Sequence, residues 1–196
     1  MNTRSHYIIN SRTSALASHF ELGHEYTRVV QGHEVFIVRQ TLEEIVRASF
    51  HYYEQSLEGA IHLARKILKR SDYIPIALSA AHNLILIRCK APNQDGIIWL
   101  ICSQIQEIHR YRINKTTVVL KNGPSIDVNI KVNTLQDLLG LGADLCSALI
   151  QSDSRKTKSY FYDPKKGIAL VWENGQLNYI VKRNKEDDED LDMVLK

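Results

Sequence analysis

The sequence predicts an α+β fold: a mainly antiparallel sheet, a helix pair in the N-terminal half, and a helix after the central hairpin. Three observations predict it. Two apolar stripes at helical spacing, each preceded by a capping residue, lie between Thr41 and Arg70. β-Branched and aromatic runs then follow from Ile76 to Val132. Leucines recur at helical spacing from Leu135 to Leu149.

In chain order, Ser5 to Ile9 and Glu34 to Arg39 have the β-branched and aromatic content of strands. Residues 10–25 are weakly patterned and read as a loop. Tyr26 to Val30 can pair with Val35 to Val38 across a three-residue loop, Gln31-Gly32-His33. Thr41 and Glu44 form a capping box, each side chain answering the other's unpaired backbone N–H. Leu42, Ile45, Val46, Ser49, Phe50 and Tyr53 then share one helix face. Ser56 starts a second helix with Glu58 near its positive end, and Leu57, Ala60, Ile61, Ala64, Ile67 and Leu68 form its stripe. Pro75 stops helical structure by Ile74.

Ile76 to Leu78, Leu84 to Arg88, Ile97 to Ile113 and Thr116 to Lys121 are the next strands, the third long enough to break near Gln106. Pro124 directly after Asn122-Gly123 has no N–H to close a two-residue turn, so a longer loop, Asn122 to Ser125, is expected. Ile126 to Val132 alternates strictly, as a half-buried strand does. Thr134 is the expected cap of the last helix, in which Gly140 and Gly142 permit close packing on the sheet. Residues 151–158 read as a linker. Ile168-Ala-Leu-Val-Trp172 and Leu177-Asn-Tyr-Ile-Val181 flank Asn174-Gly175, a type I′ hairpin signal that sets Trp172 against Leu177, Leu170 against Tyr179 and Ile168 against Val181.

A length of 196 residues, 44% of them hydrophobic, suits one domain with a small appendage. The expected division is a body over 1–152, a linker and hairpin over 153–185, and an acidic tail over 186–196 with the composition of a disordered segment. No run of eighteen apolar residues is present, and the N-terminus lacks an apolar leader, so the expected location is the cytoplasm with no membrane contact. Cys89, Cys102 and Cys146 are odd in number, far apart and form no CxxC pair; free buried thiols are expected. The Gly-rich, HExxH and GxSxG signatures of common enzymes are absent, and the eight histidines show no strong metal spacing. No catalytic, metal or cofactor role is therefore expected.

The formal charge of +3 hides an asymmetry. Glu186 to Asp190 with Asp192 hold six of the 22 acids, and residues 1–185 carry 24 Lys and Arg against 16 Asp and Glu, a net +8. A basic body favours polyanionic partners. His62, Arg65, Lys66, Lys69 and Arg70 line one side of the second helix, read as 57–70. Arg88, Lys90, Arg110, Arg112 and Lys115 lie further on. These residues suit a phosphate-tracking surface made by the helix and by segment 109–115, on a single side of the body. The alternatives are plain solvated faces, or an interaction module that uses the apolar hairpin 168–181 and the acidic tail.

Over roughly residues 43–150 the order of motifs resembles the competence transcription factor ComK family. The residues that carry the likeness are Ile45-Val46, Ser49, Tyr52-Tyr53, Ser56, Gly59, Ala64, Pro75-Ile76, Trp99-Leu100, the Thr117-to-Gly123 hairpin and Gln136. Three positions depart from the family pattern. Glu54 stands where glycine is usual, Ala60 where arginine is usual, and Arg88-Cys89-Lys90 replaces a Pro-Thr motif. The resemblance implies a positive regulator that binds AT-rich double-stranded DNA as a homo-oligomer, largely through the minor groove, and is controlled by a proteolytic adaptor.

Overall fold

The computed structural model describes residues 3–92, 96–155, 160–163, 168–173 and 176–181, with side chains described to residue 152. The elements are β1 (Thr3–Arg4), β2 (Thr13–Glu21), β3 (His24–Gln31), β4 (Glu34–Val38), α1 (Leu42–Tyr52), α2 (Leu57–Leu68), β5 (Ile76–Ser79), β6 (Leu84–Lys90), β7 (Ile97–Ile101), a 3-10 turn (Cys102–Gln104), β8 (Ile105–Arg112), β9 (Lys115–Leu120), β10 (Ser125–Val128), α3 (Val132–Arg155), β11 (Tyr160–Asp163), β12 (Ile168–Glu173) and β13 (Gln176–Val181). The α+β class and the mainly antiparallel sheet agree with the sequence reading. The chain divides into two units, residues 1–148 and 149–196.

In the first unit a seven-stranded sheet runs in the order β1-β4-β3-β2-β7-β6-β5, antiparallel except for the β1–β4 pair. Its central strands are buried on both faces. Leu16, Val29, Leu86, Trp99 and Ile101 point to the side covered by α1 and α2, where they meet Ile45, Phe50 and Ala60. Their sequence neighbours Ala15, Val30, Ile87, Ile98 and Leu100 point the opposite way, into a second core. That core is closed by a smaller sheet, β10-β9-β8, through Val118, Leu120 and Val128, and by Leu135 and Leu138 of α3. The order of layers is thus helix pair, large sheet, then small sheet with α3.

Several sequence expectations need correction. Residues 13–21 form a full strand and not a loop, hydrogen-bonded to β3 and to β7. Thr13, Ser14, Ala15 and Leu16 are all buried, so the segment shows no polar face, and its Ser, Ala and His content has weak β propensity. Leu22 and Gly23 both take positive φ, which is the geometry of a type I′ turn and closes β2 onto β3. The β3–β4 loop has two residues, not three, because Gln31 pairs with Glu34.

Ser5 to Ile9 is not a strand. Its amides are taken by side chains instead: Tyr7 N–H donates to Gln40 Oε1 and Ile9 N–H to Ser49 Oγ, each at 3.0 Å. The predicted strand 97–113 is two strands in different sheets, broken at Cys102–Gln104 and not at Gln106. The strand predicted over 126–132 ends at Val128, opposite Thr116. Its ladder stops there because the β9 partner begins one residue away, and the Thr116 hydroxyl donates to Ile130 C=O at 2.7 Å. Thr134 is accordingly not a cap. The helix begins at Val132, with Leu135 N–H bonded to Lys131 C=O, and it extends through 151–155, where a linker was expected.

Other expectations hold. The Thr41–Glu44 capping box and the Ser56 cap are both present. A loop longer than two residues joins β9 to β10 as expected, but it spans 121–124, one residue earlier than Asn122 to Ser125, because Ser125 already pairs with Val119. A Cβ at Gly142 would sit 3.1 Å from Cys102 Sγ and 3.3 Å from Ile85 Cγ2, so glycine there permits close packing, whereas Gly140 meets nothing. In the second unit β12 and β13 pair in the expected register, Trp172 opposite Leu177 and Ile168 opposite Val181, and β11 adds an unexpected third strand. The Asn174-Gly175 turn and the acidic tail fall outside the described residues.

Ser49 ties these parts together. Its buried hydroxyl donates to Ile45 C=O at 2.7 Å and accepts from Ile9 N–H. Replacing Ser49 with alanine strands a buried amide, and urea denaturation should show a loss of about 1–3 kcal/mol.

Candidate nucleic-acid interface

The helix pair carries the first set of candidate cations. α1 ends in a Schellman motif: Glu54 N–H bonds His51 C=O, and Gln55 N–H bonds Phe50 C=O. Glu54 sits in the left-handed region with φ 57°. An ion cluster then fixes α2 against α1. Arg47 Nε lies 2.8 Å from Glu43 Oε1, and Arg47 Nη1 lies 2.6 Å from Glu58 Oε1. Hydrogen bonds from Arg47 hold the Glu58 carboxyl below the usual range, and bonds to Glu43 and Glu58 raise the Arg47 guanidinium.

On α2, Ala60 and Ala64 are buried against the sheet while His62, Arg65 and Lys66 are exposed. The helix ends at Leu68, not at residue 70. Lys69 caps it in the left-handed conformation at φ 52°, and Arg70 follows outside the helix; both are exposed. Arg65 Nε donates to Ser71 C=O at 3.2 Å, which steadies the turn that follows. Arg88 and Lys90 of β6 are exposed and, two and four residues beyond Leu86, lie on the helix-covered side of the sheet.

The second set lies in another layer. Ile108 pairs with Val118 and His109 with Thr117, but a bulge at Tyr111 shifts the register so that Arg112 faces Lys115 across the turn Ile113-Asn114. From His109 to Asn114 every residue is exposed. Lys115 is half-buried, and its Nζ donates to Pro92 C=O at 3.3 Å, bracing the hairpin against the β6–β7 connection. The Arg112 guanidinium lies 5.3 Å from the centre of the Tyr111 ring. Tyr111 and Ile113 are exposed at this tip and were passed over in the sequence, where the run Ile97 to Ile113 reads as one strand.

The eight candidate residues therefore do not gather on one side. His62, Arg65, Lys66, Lys69 and Arg70 belong to the helix layer; Arg110, Arg112 and Lys115 belong to the small sheet on the opposite side of the large one. None of the eight forms an ion pair with a described residue. The acid nearest in sequence to the hairpin tip, Glu107, lies 3.0 Å from His109.

The thiols offer no reactive alternative. Burial pushes Cys89 and Cys102 up to about 12, so both stay protonated near neutrality. Among the described residues no group of three or more His, Cys, Asp or Glu could hold a metal ion, and no helix is long and apolar enough to cross a membrane.

An α+β body bearing exposed cations without carboxylate partners defines a candidate polyanion-binding protein. A family model described as ComK protein matches residues 4–152, and the chain belongs to the ComK family, a family of competence transcription factors and not of enzymes. No curated protein and no solved structure matches the chain. The matched span includes β2, β3 and β4, which lie outside the stretch that carried the sequence resemblance.

The departures from the family pattern acquire structural meaning. Glu54 is the left-handed residue of the Schellman motif, the place where glycine is free of Cβ strain. Ala60 lies in the core, so alanine there takes no charge from the exposed face of α2. Arg88 and Lys90 add two exposed cations around the buried Cys89.

Two measurements follow from this geometry. Glu54→Gly should raise stability by up to about 1 kcal/mol, the relief of left-handed strain less the entropy of glycine in the unfolded chain, as read by denaturant midpoint. In an NMR titration Glu58 should ionise below a free glutamate and rise toward the ordinary range in Arg47→Ala, which leaves its backbone hydrogen bond in place. Because its folded value is the lower one, its contribution to stability is present above the unfolded value and is lost as pH falls through the folded one.

Proposed function

We propose that this protein is a DNA-binding activator of competence genes that recognises AT-rich promoter boxes through phosphate and minor-groove contacts, working as a homo-oligomer in the cytoplasm and subject to a proteolytic adaptor. Family membership across residues 4–152 carries the reading. The exposed cations support it on physical grounds. Uncompensated Lys and Arg release counterions when they meet phosphates, and arginine is the side chain best suited to a narrow A·T minor groove.

The body over 1–152 is proposed as the DNA-binding part, with 153–185 and the acidic 186–196 as appendages. The two cation sets face away from opposite sides of the large sheet. They can therefore be tested separately.

Titration with AT-rich and GC-rich duplexes across salt should show tighter binding to the AT-rich duplex and a log-linear loss of affinity with salt. Arg110→Glu with Arg112→Glu, and independently Arg65→Glu with Lys69→Glu, should each weaken binding. Each pair should lower the salt slope by about two wherever its cations meet phosphate. An unchanged slope at low salt removes that set from the interface. Absence of duplex binding near physiological salt overturns the reading.

A further inference from the structure

Two hairpin tips of the first unit expose large apolar side chains. At the β2–β3 tip Leu22 is 93% exposed and Phe20 54%. At the β8–β9 tip Ile113 is 86% exposed and Tyr111 53%. Scattered exposed apolar residues need no explanation. Their surroundings separate these two. Glu21 and Glu25 flank the first tip. The second is flanked by Arg110, Arg112 and Lys115, and none of these has a carboxylate within ion-pair distance among the described residues.

Resting on the DNA-binding reading above, we propose that the β8–β9 tip is a wedge that enters the minor groove of duplex DNA, with Ile113 inserting between two base pairs and kinking the duplex while Arg110 and Arg112 line the groove. Three features of the tip support this occupant. The tip is a tight two-residue turn, Ile113-Asn114, that presents one branched apolar side chain at its apex. Minor-groove proteins that bend DNA use such a side chain to unstack a base step, with arginines alongside. The bulge at Tyr111 re-aims Arg112 and brings it opposite Lys115, so two cations stand side by side behind the wedge. The bond from Lys115 Nζ to Pro92 C=O braces the base of the arm, which a wedge needs in order to transmit force. Flexible A·T-containing steps are also the cheapest to kink, so a wedge would add a preference for AT-rich sites without hydrogen bonds to bases.

The test uses the full chain with an AT-rich duplex carrying single 2-aminopurine substitutions and a donor–acceptor dye pair at its ends. Wild type should raise 2-aminopurine fluorescence at one step and shorten the end-to-end distance. Ile113→Ser, at a position already in solvent, should keep its circular dichroism spectrum and the wild-type salt slope, lose the fluorescence rise and the shortening, and bind several-fold more weakly. Arg112→Ala should lower the salt slope instead. Wild type that binds without unstacking, or Ile113→Ser that unstacks and bends as wild type does, overturns the wedge and leaves the DNA-binding reading standing. Wild type that binds no duplex at any salt overturns both.

Discussion

Ala15 and Leu16 are neighbours in sequence, point in opposite directions, and are both out of water. The same holds for Val29 and Val30, Leu86 and Ile87, and Trp99 and Leu100. This double burial is the constraint on which the rest of the molecule depends. A sheet dry on both sides needs a cover on each, and the helix pair supplies one while the small sheet and α3 supply the other. Charge is sparse in the shared strands: Arg28 of β3 and Arg88 of β6 are exposed where the covers leave the sheet open. The candidate lysines and arginines lie on the outer side of α2 and just past its end, at the end of β6 and at the β8–β9 hairpin. The fold thus disperses its cations over two outer surfaces, and the sequence, read as a line, made them look like one.

The amphipathic parts were legible. Capping chemistry at Thr41 and Ser56 is local, so both helix starts were found. The β12–β13 register followed from the pattern around Asn174-Gly175. What failed depends on tertiary partners. β2 is a central strand of small and polar residues, and only its two neighbours make it one. The alternation from Ile126 to Val132 continued past the point where β9 could pair with it. The eight candidate residues are exposed or, for Lys115, half-buried. Their division between layers was hidden, because no local pattern tells which side of a sheet a later hairpin will cover.

The residues that carry the family likeness are largely architectural here. Ser49 and Tyr53 clasp the N-terminal segment, the first through Ile9 N–H and the second through its hydroxyl to Ile9 C=O at 3.2 Å. Gly59 N–H donates to the capping Ser56 Oγ at 3.0 Å. Trp99 fills the core beneath the helices. A Cβ at Gly123 would come within 3.0 Å of Gly32 C=O, which holds the β9–β10 loop close to the β3–β4 turn. Such residues preserve a scaffold, and the functional surface is free to vary on top of it.

β8 ends its three-stranded sheet, and among the described residues nothing pairs along its outer rim. An open rim is an invitation for another chain to add a strand, the first step toward insoluble assemblies. Here that rim bears Arg110 and Arg112 toward its tip, so two molecules pairing tip to tip along it would bring like charge toward like charge. The same arginines that leave the strand open to a polyanion therefore act as a guard against self-annealing.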